Sequence, residues 1–95
     1  FQLGPLKGNV EYVQAQGDYA RLHTEEASYL VRVPMSDLER QWSDAFVRIH
    51  RSYLLNLDRL SRIDTEGGEP KAVVLADGTR LPLSRSGYGR LKGLL

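Results

Sequence analysis

The alternation of apolar and polar positions predicts a chain built mostly of short strands. "NVEYVQAQ" alternates at Val10 and Tyr12 and reads as a strand, and Gly17-Asp18 is a turn signal. "YARLHT" resumes the period with Ala20 and Leu22 on one face and Tyr19, Arg21 and His23 on the other. After the polar Glu25-Glu26 connection, "ASYLVRV" is β-branched and aromatic, and Pro34 ends it because proline cannot donate to a ladder. The period then changes. Leu38, Trp42 and Ala45 form one helical stripe, Ser36 and Glu39 have the spacing of a capping box, and Ser43-Asp44 would close the helix after two to three turns. "FVRIH" returns to strand, with Val47 and Ile49 on one face and Phe46, Arg48 and His50 on the other. "RSYLLNLDRLSRI" mixes a turn with a further strand around Leu60–Ile63. "EGGE" is a turn, and Asp77-Gly78 between "AVVL" and "RL" predicts a type I′ hairpin. The terminal "SRSGYGRLKGLL" allows a helix capped by Ser84 or Ser86 and anchored by Leu91, Leu94 and Leu95, weakened by Gly87, Gly89 and Gly93.

About seven short strands at close spacing imply mainly antiparallel sheets with one short helix and a possible C-terminal helix. Residues 1–8, with Gly and Pro but no period, read as a linker or lead-in, and 9–95 as a single domain. At 95 residues the chain is long enough for one modest core. It has no cysteine, which excludes disulfides and Cys-ligated zinc. No apolar run approaches the length of a membrane span.

The net charge of +1 hides a segregation. Residues 11–45 hold seven acids and three bases, and 64–77 hold four acids and one base. Residues 46–63 hold four arginines and one acid, and 78–95 hold four bases and no acid. Two basic segments on a near-neutral body suit a local positive surface for a polyanion. The same question arises within "FVRIHRSYLLNL". Arg48, His50 and Arg51 lie within four positions of a strand that should be buried, and isolated buried charge is costly. They must therefore face something other than the core.

Catalytic readings find little support. A triad of His50, Ser52 or Ser84, and Asp58 lacks a nucleophile elbow. His23 and His50 have no metal-ligand spacing, "GYG" at 87–89 is no phosphate loop, and the carboxylate pairs sit in turns. The expectation is a non-enzymatic domain without metal or cofactor. Trp42 reads as core, and Tyr12 and Tyr29 as half-buried strand residues.

Four blocks stand in order along the chain: "YVQAQGDYARLHT", "YLVRVPMSDLE", "FVRIHRSYLLNL" and "LPLSR". Together they resemble the LytTR family, the DNA-binding output domain of many bacterial response regulators. The block at 46–53 is the most specific. The resemblance implies a mainly β fold, an elongated stack of small antiparallel sheets, in which loops rather than a recognition helix reach the DNA. The implied contacts are the turn 17–21 with Tyr19 and Arg21, the strand end at His50-Arg51, and Ser84-Arg85. Arg51 and Arg85 suit base reading, since a guanidinium can fork onto guanine. Arg48, His50, Ser52, Ser84, Ser86 and Arg90 suit phosphate. Asp18 would be a turn former or a partner of Arg21, and the acidic segments 24–45 and 64–77 would lie away from the duplex. The resemblance further implies double-stranded DNA with paired direct repeats as the partner. It implies an N-terminal receiver or sensor domain outside this sequence, a monomeric isolated domain that dimerises on DNA or in the full-length protein, and a cytoplasmic location. The rival reading is a β-rich protein-interaction module whose basic surface meets an acidic partner.

Overall fold

Two antiparallel sheets pack together by apolar faces, and the larger is buried on both sides only where the smaller covers it. The computed structural model describes residues 3–95. Strands β1 (Val10–Gln16), β2 (Tyr19–Thr24), β3 (Ser28–Val31), β4 (Phe46–His50) and β5 (Tyr53–Asn56) form a five-stranded sheet in the order β3-β2-β1-β5-β4. Strands β6 (Leu60–Glu66), β7 (Glu69–Leu75) and β8 (Arg80–Pro82) form a three-stranded meander. Helix α1 (Gly4–Lys7) is a single turn, α2 (Met35–Gln41) joins β3 to β4, and α3 (Arg85–Lys92) ends the chain. The molecule is elongated, 42 × 24 × 24 Å.

Alternation places the core on both faces of the large sheet. Val13, Leu22, Phe46 and Leu54 pack with Leu38 and Trp42 around α2. Val47, Ile49 and Leu55 face the other way, onto Val73, Leu75 and Leu81 of the small sheet and Leu91 of α3. The two faces read from "FVRIH" are therefore two separate cores. Where the pattern predicts only a turn before Leu60, the chain forms strand β5. It is buried on both faces, so its "YLL" shows no alternation to mark it. The buried Asn56 closes that strand, donating Nδ2–H to the Val10 carbonyl and accepting the Asp58 N–H.

Several local expectations change. Helix α2 is capped by Pro34 with no side-chain bond, so the Ser36–Glu39 box does not form. The Glu39 carboxylate instead accepts from Arg48 on β4. The helix ends at Gln41, before Ser43. Asp77-Gly78 is not a type I′ turn, because only Gly78 has a positive φ. Residues 76–78 form a three-residue loop in which Gly78 N–H bonds the Leu75 carbonyl and Leu75 N–H bonds that of Thr79. At Gly17-Asp18 only the glycine has positive φ, the pattern of a type II′ hairpin turn. The lead-in is helical at Gly4–Lys7, where Pro5 suits the first turn, Leu3 and Leu6 pack on the core, and Lys7 pairs with Asp44. The linker reading of residues 1 and 2 lies outside the described residues.

The terminal helix forms despite its glycines, and Gly87 is the reason it can. A Cβ at Gly87 would lie 1.9 Å from the Ile49 carbonyl oxygen, so only glycine lets α3 approach β4 so closely. Ser84 caps the helix by accepting the Gly87 N–H. Leu91 anchors it, while Leu94 and Leu95 are exposed and do not.

At the end of the large sheet that carries the β1 start, Glu11 is buried with Arg59 at 3.9 Å, and Asp77 is a further neighbour. Burial and then the Asp77 charge raise the Glu11 pKa, with Arg59 opposing. A carboxyl whose folded pKa exceeds its unfolded value contributes stability that is complete at low pH and is lost as pH rises through the folded pKa.

Two outcomes are expected. Gly87→Ala forces α3 off β4 and lowers stability by about 1–3 kcal/mol in chemical denaturation, the usual scale of overpacking. Glu11→Gln raises the melting temperature at pH 7 by about 2–4 °C, equivalent to roughly 0.5 kcal/mol in a domain this size. That gain shrinks at pH 4; calorimetry showing equal shifts at the two pH values would count against the buried-carboxylate account.

Candidate nucleic-acid interface

The strand register brings the three separated segments to one end of the molecule. β1 pairs antiparallel with both β2 and β5, so the 17–18 turn and the 51–52 turn lie at the same sheet end. The Ser52 carbonyl even accepts the Ala15 N–H. α3 starts beside them, because Ser84 donates both its N–H (2.9 Å) and its hydroxyl (3.2 Å) to the Ile49 carbonyl. Tyr19, Arg21, Arg48, His50, Arg51, Ser52, Ser84, Arg85, Ser86 and Arg90 are thus all placed on or beside this end.

Their environments differ. Arg51 is exposed at the hairpin tip, and its side chain makes no hydrogen bond or ion pair among the described residues. Arg85, with a side chain 92% exposed, has only a 3.3 Å contact to Glu69. Arg90 reaches the Arg48 carbonyl at 3.2 Å and has no acidic partner among the described residues. Arg48 is unlike these. Its side chain is largely buried and bonds Glu39 (2.8 Å), the His50 carbonyl (3.1 Å) and the Arg51 carbonyl (2.6 Å). Arg21 donates to Gln16 (2.7 Å) and Ser28 (2.9 Å), so its partner is not Asp18.

His50 is held in one tautomer. Its Nδ1 accepts the Ser52 N–H at 3.1 Å, which leaves the proton on Nε2, free to donate outward. The Tyr53 ring packs edge-on against it, with centroids 5.8 Å apart. Gln14 donates to the Tyr53 hydroxyl and pairs with His23, whose ring stacks on Tyr12 at 4.2 Å. Burial lowers the His23 pKa, with nearby Arg21 adding to the effect. His23 is thus a neutral member of this polar row, and no three-ligand metal cluster occurs among the described residues.

The acidic segments are not wholly remote from this end. Glu39 pairs with Arg48 and Glu69 with Arg85, so each segment sends one carboxylate to the basic rim. Arg32, which no pattern in the sequence singles out, joins this end as well. The Ala20–Val31 pairing sets Arg32 beside Tyr19, its guanidinium 6.0 Å from the ring centroid, exposed and without an acidic partner among the described residues. The only signal for it was an arginine just past the third strand. Its relevance needed the strand register.

A β scaffold that gathers cationic side chains from strands, turns and one helix onto an open end defines a binding domain. The model of the LytTr DNA-binding domain family matches residues 7–95, and the chain belongs to that family of DNA-binding domains. Among curated proteins it is similar to the CO-responsive transcriptional regulator RcoM of Rhodospirillum rubrum, 33% identical over 90% of this chain and 37% of that protein. It is also similar to the sensory transduction protein LytT of Bacillus subtilis, 26% identical over 92% of this chain and 36% of that one. The chain spans about a third of the length of these relatives. A solved LytTr DNA-binding domain from Bacillus cereus shares the fold, with a TM-score of 0.83 at 22% identity, covering 93% of this chain and 82% of that one. No helix among the described residues is long and apolar enough to cross a membrane.

Proposed function

We propose that this domain reads a specific duplex DNA sequence as the non-enzymatic output module of a cytoplasmic bacterial transcription regulator. The observation that carries the reading is the convergence of Arg32, Arg51, Arg85 and Arg90 on one end, none of them buried in an ion pair. Exposed guanidinium groups on separated segments suit consecutive contacts along a groove and its phosphate walls. Arg51 and Arg85 read bases. Arg32, Arg90, the Nε2–H of His50 and the hydroxyls of Ser52 and Ser86 meet phosphate, and Tyr19 and Arg21 flank them, while the Ser84 hydroxyl stays on the Ile49 carbonyl and fixes the helix start. The Ser84-capped start of α3 adds backbone N–H donors for the same phosphate wall. The regulators among its relatives favour a longer protein with an N-terminal receiver or sensor domain. That part supplies dimerisation, so that two copies occupy paired direct repeats while the isolated domain is monomeric.

Selection from random duplexes, with the domain fused to a dimeriser, yields a preferred site on this reading. Arg51→Ala and Arg85→Ala each flatten preference at one base pair, by about 1–3 kcal/mol or roughly 5- to 150-fold. Arg90→Ala instead weakens all duplexes alike and reduces the salt slope by about one unit. Losses at Arg51 and Arg85 that are indifferent to sequence would remove base reading from them. Binding to an acidic protein that random duplex fails to compete would favour the protein-interaction reading.

A further inference from the structure

The β4–β5 hairpin has a backbone problem at its tip. His50 pairs with Tyr53, so Arg51-Ser52 is a two-residue loop. Two-residue loops match the twist of a hairpin when their first central residue has φ > 0. Among the described residues only glycines have positive φ, so this loop is of the kind that splays its strands. The register also shifts between Arg48 and His50, where β4 carries one residue more than β5. Such a tip needs support from outside its own backbone.

Arg48 is placed to give it. One guanidinium spans the loop, bonding the carbonyls of His50 and Arg51, and is itself oriented by the Glu39 carboxylate of α2. With three partners and a mostly buried side chain, it has little left to offer a ligand.

We infer that Arg48 is a positioning residue rather than a phosphate contact. With Glu39, it holds the 50–52 turn in the shape that presents Arg51 and the His50 Nε2–H. This deepens the DNA-binding reading and rests on it. The clamp itself is a property of the free domain.

The sign of one substitution separates the two roles. Glu39→Gln removes a negative charge beside the interface, and electrostatics alone would tighten binding to every duplex. On the clamp account it loosens the turn, and preference for the selected duplex over random DNA falls several-fold. Arg48→Lys keeps the charge but cannot bridge two carbonyls and a carboxylate with one planar fork. It is expected to lose preference by about tenfold at an unchanged salt slope, whereas Arg90→Gln reduces that slope by about one unit. In the free variants, amide exchange at Ser52 and Tyr53 quickens while exchange in β7 stays as in the unmodified domain. The account is overturned if Arg48→Lys keeps both preference and turn protection, or if Glu39→Gln tightens binding to all duplexes with preference unchanged. An unmodified domain with no sequence preference would sink the functional reading and leave the clamp to be decided by the exchange rates alone.

Discussion

The arrangement depends on the contact of α3 with the edge of β4. Ile49 offers its carbonyl outward at the register shift, and Ser84 meets it with both N–H and hydroxyl. Gly87 lets the helix backbone close in where any side chain would collide. This contact sets Ser84, Arg85 and Ser86 beside a hairpin tip more than thirty positions earlier in the chain. It also covers the exposed edge of β4, where unpaired backbone groups would otherwise invite another strand. Structural capping and the placement of cationic side chains are here a single interaction.

A second constraint is the division of labour among the arginines at that end. They look equivalent in a charge count, but their surroundings separate them. Arg48 is absorbed by carbonyls and Glu39, Arg21 by Gln16 and Ser28, and Arg51 by nothing among the described residues. A guanidinium that satisfies its own backbone gives geometry, and one left in solvent gives an attachable charge. The question raised by Arg48, His50 and Arg51 in an apolar strand thus has two answers. Arg48 serves the fold, while His50 and Arg51 are presented outward by it.

Much of the architecture was legible in the chain. The alternation in "FVRIH", the turn at Gly17-Asp18, the paired glycines at 67–68 and the helical stripe through Leu38 and Trp42 all correspond to observed elements. Strand β5 was hidden because burial on both faces removes alternation. The Ser36–Glu39 spacing misled because Glu39 has a stronger charged partner across the helix–strand gap. The glycines of α3 argued against a helix on propensity alone, and tertiary packing reversed that argument at Gly87. Of the candidate site, the segments were legible and the state of each side chain was not.

Local patterning alone therefore determined the strand-rich class, the segregation of charge and the family blocks, because these depend on neighbours within a few positions. Only the tertiary structure decided which arginines are free, which face of β4 meets which core, and that Arg32 joins the same end. Those outcomes turn on strand register and on one close helix–strand approach between residues distant in sequence. Contacts of that range leave no period in the chain to read.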